Sequence, residues 1–485
     1  MTVTLPEAVR AADPATVAII DGQRAVTYGE LADLVDRTAW GLVGRGLRPG
    51  ARVAIAAPPG IDGIVAYLGT LAARGVASML YPESPTAELA LRLDMIDPQF
   101  TLCAGPVDLP SGVEAFSPAG AVDADRPPLD VAPNGASPGA QPEDVAVALF
   151  TSGVAGRPRP VLLSHANLAA VQAGLIEQRG SGLGPGTVAL CPMPISHVFG
   201  LNSLVGTMLR AGATIVTAPR FDPAATLELI ARHRVSTLSA VPQMWAAWTA
   251  VAGSGGGEMA SVERATSSAA HLPAAVAEAV YGRFGLRVAA GYGLTETAGT
   301  ICLDDVANPT TDTVGRPLGG TQLRLVDPDD DEEDAEPGEP GEIWVKGPSV
   351  FVGYLGADGP SMLGPDGWCR TGDVGVFDDD GRLTIVDRVK DVIIVGGFNV
   401  APAEVEDVLL SHPSVAGAAV VGEPDERSGE RVVAYVVPSR DDLSTDQLVE
   451  HCRRHLARYK VPARIEQREQ LPATESGKWV RRLLQ

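Results

Sequence analysis

Residues 149–168 read LFTSGVAGRPRPVLLSHANL, and three kinds of local sequence follow one another there. An apolar run leads into a segment rich in serine, glycine and proline, and a helix start is indicated near Ser164. This order predicts a buried strand, a loop and a capped helix. Backbone amides and hydroxyls in such a loop can bind a phosphate group. Because a loop of this composition is more often an ordinary turn, the phosphate hypothesis needs support from other segments.

The chain on either side of this stretch alternates helices and strands. From Val17 onward the pattern predicts a hairpin, an amphipathic helix and a buried strand. Helices are predicted over 222–233 and 272–284, and each precedes a short apolar strand, VSTLSAVP and RVAAGYG. This alternation is typical of a wound α/β sheet. Ligands of such sheets bind at the carboxyl ends of the strands.

The composition changes twice in the last third of the chain. Residues 327–342, DPDDDEEDAEPGEPGE, are acidic and rich in turn formers, which predicts a solvated hairpin loop. Short strands follow and predict a β-rich subdomain, and beyond a boundary at 387–391 the pattern predicts a small α+β domain with a clear final helix. We therefore predict an α/β fold with two domains. The large N-terminal domain, 1–387, holds wound α/β subdomains and the β-rich subdomain, and the small mobile C-terminal domain is 388–485.

Charge and composition exclude several classes of function. The 485 residues carry a formal net charge of -22, whereas a nucleic-acid binder needs a basic surface. The start lacks a basic segment followed by an apolar run, and no stretch of about 18 apolar residues occurs. We therefore expect a cytoplasmic protein with no membrane span. The five cysteines are scattered without a CxxC pair, which predicts reduced thiols rather than disulfides or a metal site.

Further motifs support the phosphate hypothesis. In chain order they are TSG-x-x-G-x-P at 151–158, PISHVFGL at 194–201, GYGLTE at 291–296, TGD at 371–373, DRVKD at 387–391 and PATESGK at 472–478. Their order and approximate spacing resemble those of the adenylate-forming superfamily of acyl-CoA synthetases, luciferases and peptide-synthetase adenylation domains. The resemblance spans nearly the whole chain. It implies an enzyme that handles an acyl-adenylate and passes the acyl group to a thiol.

The resemblance implies a nucleotide site. Tyr292 resembles the aromatic residue that stacks on adenine, and Thr295 resembles a hydroxyl ligand of phosphate. Glu296 resembles the carboxylate that holds Mg²⁺, a hard cation that prefers oxygen ligands. Asp373 resembles the residue that accepts hydrogen bonds from both ribose hydroxyls, and Arg388 resembles its ribose partner. The other nucleotide contacts that the resemblance implies are Thr151, Ser152, Gly153 and Gly293.

The resemblance also implies a catalytic lysine and a moving domain. Lys478 resembles the lysine that contacts the substrate carboxylate and the α-phosphate during adenylation, where its charge stabilises a developing pentacoordinate phosphate. Lys390 occupies the hinge position about which the small domain swings. Its alternative interpretation is a solvated surface lysine. In the second state of such enzymes the segment containing Gly396, Gly397 and Phe398 helps line the tunnel for CoA.

An acyl pocket is expected near the PISHVFGL motif. His197 resembles a histidine that borders this pocket and gates the approach of the thiol, and we predict a catalytic role for it. Its alternative interpretation is a partly buried structural histidine. Phe199, Gly200, Val241 and Pro242 are predicted to wall the pocket. Their character indicates an apolar acid.

The phosphate loop departs from the family pattern. Val154 and Ala155 stand where the family has small hydroxyl residues, and Arg159 and Pro160 stand where it has lysine and glycine. Two hydroxyl donors are therefore lost, Pro160 has no N–H to donate, and a guanidinium does not replace an ammonium at a tight phosphate site. Losing two or three neutral hydrogen bonds, at about 1 kcal/mol each, corresponds to roughly a hundredfold loss in rate or affinity.

We therefore expect an acyl-CoA ligase that uses ATP or acyl-AMP, Mg²⁺ and coenzyme A on a small carboxylic acid. The adenine-side loop, SSAAHL at 267–272, also departs from the family pattern, with Ser268 and His271 where the family commonly has glycine and proline. The altered phosphate loop leads to a further hypothesis. The chain adenylates poorly and chiefly converts an acyl-adenylate supplied by a partner adenylating enzyme. The rival hypothesis is that other residues compensate.

Two alternative functions stay open. One is a stand-alone adenylation enzyme that loads a carrier protein. The other is a non-catalytic acyl-nucleotide binder, against which the retained Lys390 and Lys478 argue. A nicotinamide oxidoreductase is set aside because no GxGxxG fingerprint follows a strand in the first domain.

Overall fold

The computed structural model describes residues 3–105, 107–119, 139–151, 158–178, 181–251, 257–310, 312–327, 330–356, 362–388, 393–395, 398–400, 402–425, 429–440, 443–456, 458–473 and 483–484. The α-helices among these residues are α1 Leu5–Ala11, α2 Tyr28–Gly44, α3 Ile61–Ala72, α4 Thr86–Ile96, α5 His165–Glu177, α6 Thr207–Arg210, α7 Pro223–His233, α8 Pro242–Ala250, α9 Ala274–Phe284, α10 Pro402–Leu410 and α11 Thr445–His455. A π-helical segment, Phe199–Gly206, runs directly into α6.

The strands among the described residues are β1 Val17–Asp21, β2 Arg24–Thr27, β3 Arg52–Ala56, β4 Val76–Leu80, β5 Phe100–Cys103, β6 Val145–Thr151, β7 Arg159–Ser164, β8 Val188–Cys191, β9 Thr214–Thr217, β10 Thr237–Ala240, β11 Arg264–Ser267, β12 Ala289–Leu294, β13 Gly299–Leu303, β14 Arg316–Pro317, β15 Gln322–Asp327, β16 Asp330–Asp334, β17 Gly341–Lys346, β18 Gly353–Tyr354, β19 Cys369–Phe377, β20 Leu383–Arg388, β21 Ile393–Val395, β22 Phe398–Val400, β23 Val415–Asp425, β24 Gly429–Pro438 and β25 Arg464–Gln467.

The central sheet has the strand order β14-β13-β12-β11-β10-β8-β9-β1-β2. Its middle strands, from β12 through β9 to β1, run parallel, and antiparallel strands complete both edges. The predicted helices 222–233 and 272–284 form α7 and α9, each followed by a strand of this sheet. The prediction of a wound α/β sheet is therefore confirmed.

A second sheet, in the order β18-β7-β6-β4-β3-β5, contains the two strands to which the stretch 149–168 contributes, β6 and β7. The prediction for that stretch missed one strand, because β7 lies between the loop and helix α5 and pairs antiparallel with β6. Val161 and Leu163 are fully buried in β7. Their burial in the sheet favours a strand here, although the residues before them have the composition of a loop. The predicted cap is present, since the Ser164 hydroxyl accepts a 3.1 Å hydrogen bond from the Asn167 amide.

The β-rich part forms a third sheet in the order β16-β15-β17-β19-β20, and its strands pair antiparallel. The acidic stretch was predicted as a solvated hairpin loop. It does make a hairpin, but part of it is strand β16, which pairs with β15. Arg324 of β15 forms an ion pair with Asp334 of β16. This ion pair offsets part of the negative charge of the acidic hairpin.

The C-terminal part forms a fourth sheet in the order β22-β21-β24-β23, with β25 beside β24. Helices α10 and α11 cover it, and their apolar side chains share a separate core with the sheet. Strand β20 ends the β-rich sheet at Arg388, and the next described strand belongs to this fourth sheet. The chain thus has an α/β fold with a large N-terminal part of several sheets and a small α+β C-terminal part.

Two further findings concern the chain as a whole. None of the helices that the structure describes has the length and apolar character needed to cross a membrane. The five cysteines are all buried and none forms a disulfide. Burial raises the pKa of Cys191 and of Cys369 to about 12, so both thiols stay protonated at neutral pH.

Candidate active site

Tyr292 and Asp373 meet near the carboxyl end of β12. The Tyr292 hydroxyl donates a 2.7 Å hydrogen bond to Oδ2 of Asp373, and the two residues are 9% and 5% exposed. Burial first, and then the charge of Asp373, raises the pKa of Tyr292 well above its ordinary value. The phenol therefore stays protonated and keeps donating. Two residues that the sequence predicted to hold one nucleotide thus lie side by side.

Gly293 is required by the close pairing of β12 with β13. A Cβ atom at this position would lie 1.9 Å from the carbonyl oxygen of Gly299, a contact that no side chain tolerates. The register between the two strands shifts between Tyr292 and Gly293, where Ile301 of β13 has no partner on β12. Tyr292, whose hydroxyl bonds to Asp373, lies next to this irregularity.

Glu296 is held by a tyrosine that the sequence analysis did not identify. It lies in the 3₁₀ turn Thr295–Thr297, is 6% exposed, and its Oε1 accepts a 2.9 Å hydrogen bond from the Tyr354 hydroxyl. The guanidinium of Arg159 lies 3.5 Å from the centre of the Tyr354 ring. Burial and the charge of Glu296 raise the pKa of Tyr354, so it also acts as a donor. Arg159, Tyr354 and Glu296 therefore form one connected group.

The donor set at Glu296 fits a magnesium ion only in part. The described residues hold no group of three or more His, Cys, Asp or Glu side chains suited to a metal. Glu296 supplies one carboxylate, which is the ligand type that Mg²⁺ prefers, and one of its oxygens already accepts from Tyr354. Mg²⁺ usually binds few protein carboxylates together with phosphate oxygens and water. Glu296 therefore fits a magnesium ion that nucleotide phosphates also hold.

A half-open cavity lies between α5, the π-helical segment and the strands β10, β11 and β13. Phe199, which was predicted to wall the acyl pocket, lines this cavity. The predicted pocket residues Gly200, Val241 and Pro242 are not among the lining residues that the structure describes, and neither is His197. Gly200 instead packs against the backbone, where an added Cβ would lie 2.3 Å from the carbonyl oxygen of Pro194.

Ser268 connects this cavity to Tyr292. It lines the cavity, and its hydroxyl donates a 2.9 Å hydrogen bond to the carbonyl oxygen of Gly291, the residue before Tyr292. The backbone beside Tyr292 is therefore bonded to a residue of the cavity wall. Ser268 is one of the two residues of the adenine-side loop, 267–272, that depart from the family pattern.

The second departure, His271, contacts the C-terminal part of the chain. Its Nε2 lies 2.9 Å from a carboxylate oxygen of Asp407 in α10. Burial would lower the pKa of His271, but the hydrogen bond and charge of Asp407 outweigh it, with a further contribution from nearby carboxylates. The pKa of His271 is therefore raised. A protonated histidine here forms an ion pair between the large and small parts.

The remaining predicted site residues either have a defined place in a strand or turn or lie outside the described residues. Arg388 lies opposite Asp373 in the pairing of β19 with β20, Phe398 begins β22, and Thr151 ends β6 opposite Arg159. Thr295 is half-buried in its 3₁₀ turn. The predicted residues outside the described part are Ser152, Gly153, Lys390, Gly396, Gly397 and Lys478, together with the altered loop positions Val154 and Ala155.

Comparison with known proteins gives matches over nearly the whole chain. The family model described as AMP-binding enzyme matches residues 6–355, and the model of the AMP-binding enzyme C-terminal domain matches residues 404–478. A feruloyl-CoA synthase from an Amycolatopsis species is 35% identical and matches 96% of this chain and 94% of its own. A 4-coumarate–CoA ligase-like protein of rice, Oryza sativa subsp. japonica, is 32% identical over 98% of this chain and 86% of its own.

Solved structures share the fold. The crystal structure of ATP-bound MatB from Rhodopseudomonas palustris is 28% identical and superposes with a TM-score of 0.89, covering 100% of this chain and 98% of that one. The similarity therefore extends through both the large and the small part of the chain.

Proposed function

The chain belongs to the AMP-binding enzyme family and is an acyl-CoA synthetase of that family, and on this premise we propose that it joins a small carboxylic acid to coenzyme A through an acyl-adenylate bound by Tyr292, Asp373 and the half-open cavity. One observation carries the proposal. Tyr292 is hydrogen-bonded to Asp373, and Gly291, the residue before Tyr292, accepts a hydrogen bond from Ser268, which lines the cavity. An acyl-adenylate bound here would have its nucleotide at the Tyr292–Asp373 pair and its acyl chain in the cavity.

The nucleotide half of the proposal rests on acceptors and donors that are already oriented. Asp373 is a buried carboxylate fixed by the Tyr292 hydroxyl, and its backbone amide donates to the Thr371 hydroxyl at 3.1 Å. A carboxylate held in this way can accept from ribose hydroxyls without reorganising, which favours binding. Arg388 follows on the neighbouring strand as its proposed ribose partner.

We assign Glu296 to magnesium when a nucleotide is bound. A magnesium ion there supplies charge neutralisation for the phosphate oxygens. Tyr354 orients the Glu296 carboxylate, and Arg159 fixes the Tyr354 ring from its face. This arrangement gives the altered loop residue Arg159 a role that does not require it to replace a lysine at the phosphates.

The weak step is proposed to be adenylation. Pro160 lies in β7, where its carbonyl accepts from the Leu355 amide at 2.9 Å, but as a proline it has no N–H for a phosphate. Together with Val154 and Ala155 it reduces the donors available to the β- and γ-phosphates. The pair that would hold AMP, Tyr292 and Asp373, is intact. The chain then works chiefly on an acyl-adenylate, and a partner adenylating enzyme would supply it.

The small part is proposed to serve both half-reactions. We take residues 1–387 as the large domain and 388–485 as the small one, with Lys390 as the hinge. The change of sheet between β20 and β21 supports this division. Lys478 would act in the adenylating arrangement, and Gly396, Gly397 and Phe398 would line the CoA tunnel in the other. His197 is proposed to gate the thiol.

Two assays on the purified chain test the proposal. The first supplies ATP, Mg²⁺, CoA and a panel of acids, and detects acyl-CoA by mass spectrometry. The second compares ATP–pyrophosphate exchange with CoA-dependent consumption of preformed acyl-AMP. We expect consumption of acyl-AMP to exceed exchange by roughly a hundredfold, the scale of the lost hydrogen bonds. Rapid exchange would refute impaired adenylation, and transfer to a free carrier protein but not to CoA would refute the ligase assignment.

A further inference from the structure

The chain bends sharply between the turn that carries Glu296 and strand β13. Ala298 has a φ of 57° and lies in the left-handed region, and Gly299 follows with a φ of 121°. Alanine adopts the left-handed region only at a cost in free energy, because its Cβ atom crowds the backbone. Such a conformation persists where the surrounding structure holds it. The groups that hold Ala298 therefore bear on the position of the turn.

The 3₁₀ turn that contains Glu296 forms one closed unit with Ala298. The Ala298 amide donates a 3.0 Å hydrogen bond to the Thr295 carbonyl. The Leu294 amide donates a 2.9 Å hydrogen bond to the Thr297 hydroxyl. A displacement of Ala298 would therefore carry the Glu296 carboxylate with it.

Two consecutive residues of the π-helical segment hold this bend. The side-chain nitrogen of Asn202 donates a 2.7 Å hydrogen bond to the Ala298 carbonyl. The Ser203 hydroxyl accepts a 3.0 Å hydrogen bond from the Thr300 amide. Gly299 packs so closely against this segment that an added Cβ atom would lie 2.4 Å from the Ser203 hydroxyl oxygen. The bend is thus bound at Ala298 by Asn202 and at the start of β13 by Ser203.

The hydrogen bonding of this segment is unusual for a helix. The Thr207 amide donates to the carbonyl of Asn202, five residues earlier, and the Thr207 hydroxyl donates to the same carbonyl at 3.2 Å. Turns of this i→i+5 type are rare and occur frequently at functional sites. Here the irregular turn starts at the residue whose side chain bonds to Ala298.

A buried chain of polar side chains fixes the orientation of the Asn202 amide. Arg210 can only donate, and its Nε lies 2.5 Å from the side-chain oxygen of Gln172. The side-chain nitrogen of Gln172 therefore donates to the side-chain oxygen of Asn202, at 2.7 Å. Asn202 and Gln172 are both fully buried. The Asn202 nitrogen is consequently the atom that faces the Ala298 carbonyl.

We propose that Asn202 is a positioning residue for the proposed magnesium ligand, because it holds the left-handed Ala298 and thereby fixes the turn that carries Glu296. This inference deepens the proposed function and rests on its assignment of Glu296 to magnesium. Tyr354 orients the Glu296 carboxylate through a side-chain bond, whereas Asn202 acts through the backbone of the turn. A role of Asn202 in folding stability alone predicts no effect on metal binding.

Isothermal titration of Mg²⁺ into the chain saturated with α,β-methylene-ATP tests the inference without turnover. Asn202→Leu removes the amide at similar volume, and we expect the dissociation constant for Mg²⁺ to rise about five- to tenfold, the scale of one lost hydrogen bond. Adding Ala298→Gly to this variant should return the constant to within about threefold of the wild-type value, because glycine adopts the left-handed region without the Cβ penalty.

Thr226→Val is the matched control at a buried hydrogen bond elsewhere. Thr226 of α7 is 1% exposed, and its hydroxyl accepts a 2.8 Å hydrogen bond from Nε1 of Trp248. The control should lower the melting temperature, as Asn202→Leu does, and leave the Mg²⁺ constant unchanged. The inference would be overturned by an equal rise in Thr226→Val, an unchanged constant in Asn202→Leu, no rescue by Ala298→Gly, or no Mg²⁺ binding by the wild-type chain.

Assays of turnover separate this inference from the proposed function. If no acid yields a thioester, the proposed function fails, yet the Mg²⁺ titration still decides the role of Asn202. In an active enzyme, Asn202→Leu should raise the Mg²⁺ concentration for half-maximal pyrophosphate exchange and should affect exchange more than consumption of acyl-AMP. A larger loss in acyl-AMP consumption would contradict the inference. If Asn202→Leu does not fold, Asn202→Ser, which keeps a small polar side chain, replaces it with the same expectations.

Discussion

The hydroxyl of Tyr292 lies 2.7 Å from Oδ2 of Asp373, and this bond joins the end of β12 in the central sheet to β19 in the β-rich sheet. Both partners are buried. In the proposed site, the Asp373 carboxylate serves every step in which the nucleotide stays bound.

Asp373→Ala should weaken adenylation and thioester formation alike. The substitution removes the proposed ribose acceptor and leaves the Tyr292 hydroxyl buried without it, so we expect a loss of about 10- to 100-fold in kcat/KM for each half-reaction. Separate assays of ATP–pyrophosphate exchange and acyl-AMP consumption measure the two effects. Tyr292→Phe, which keeps the ring and the carboxylate, is the control and should cost less. Unchanged kinetics in Asp373→Ala would remove Asp373 from the site.

The sequence motifs predicted this pair because each residue stands at a fixed place in a short motif. They did not predict Tyr354, because its contact with Glu296 depends on β18 crossing to the second sheet and pairing with β7. That strand is two residues long and carries no pattern of its own. A contact between residues 58 positions apart depends on the assembled fold.

The residues that line the cavity also depend on the assembled fold. Phe199 was predicted and lines it, whereas Val241 belongs to the main apolar core and Pro242 begins α8. The position of a residue near a motif in the sequence does not determine whether its side chain faces the cavity.

Arg159→Ala should weaken the magnesium-dependent step more than the other. Its guanidinium lies 3.5 Å from the Tyr354 ring centre, and Tyr354 orients the Glu296 carboxylate. A desolvated cation–π contact contributes about 1 to 2 kcal/mol, so we expect pyrophosphate exchange to fall up to roughly 30-fold. The Mg²⁺ concentration for half-maximal exchange should rise. Consumption of acyl-AMP should change little.

Arg159→Lys and Tyr354→Phe separate charge from geometry. Lysine keeps the charge but not the planar stack, and phenylalanine keeps the ring but not the bond to Glu296. If Arg159 acts through Tyr354, both variants should shift the Mg²⁺ dependence as Arg159→Ala does. Full activity of Arg159→Lys would show instead that only the positive charge matters.

Lys478→Ala should suppress adenylation more than thioester formation from acyl-AMP. The proposed role of Lys478 is to stabilise charge on the α-phosphate while the adenylate forms, and that charge is absent once acyl-AMP is supplied. Removing such a group typically costs about 10²- to 10³-fold in rate. Single-turnover assays of each half-reaction measure the split. Equal losses in both would contradict the assigned role, and Lys346→Ala, in β17, is a control at another lysine.

The contact between His271 and Asp407 should make the arrangement of the two parts depend on pH. Burial would lower the pKa of His271, but Asp407, with Glu406 and Asp312 nearby, raises it above its ordinary value of 6.5. The protonated pair therefore stabilises this arrangement fully below about pH 6.5, and the stabilisation is lost as the pH rises through the raised pKa. Because both side chains are more than a third exposed, screening limits the effect to at most about 1 kcal/mol.

Energy transfer between two dyes measures this dependence in single molecules. Cysteines introduced at Glu278 in α9 and Glu450 in α11 lie on opposite parts and are exposed, whereas the five native cysteines are buried and should not react. The fraction of molecules with α9 and α10 in contact should fall by up to roughly fivefold in equilibrium ratio between pH 6 and pH 9. His271→Gln should abolish the dependence and leave the ratio near its high-pH value. A pH response that survives in His271→Gln would assign it to other groups, among them His451 of α11, whose Nε2 lies 3.0 Å from the Val408 carbonyl oxygen of α10.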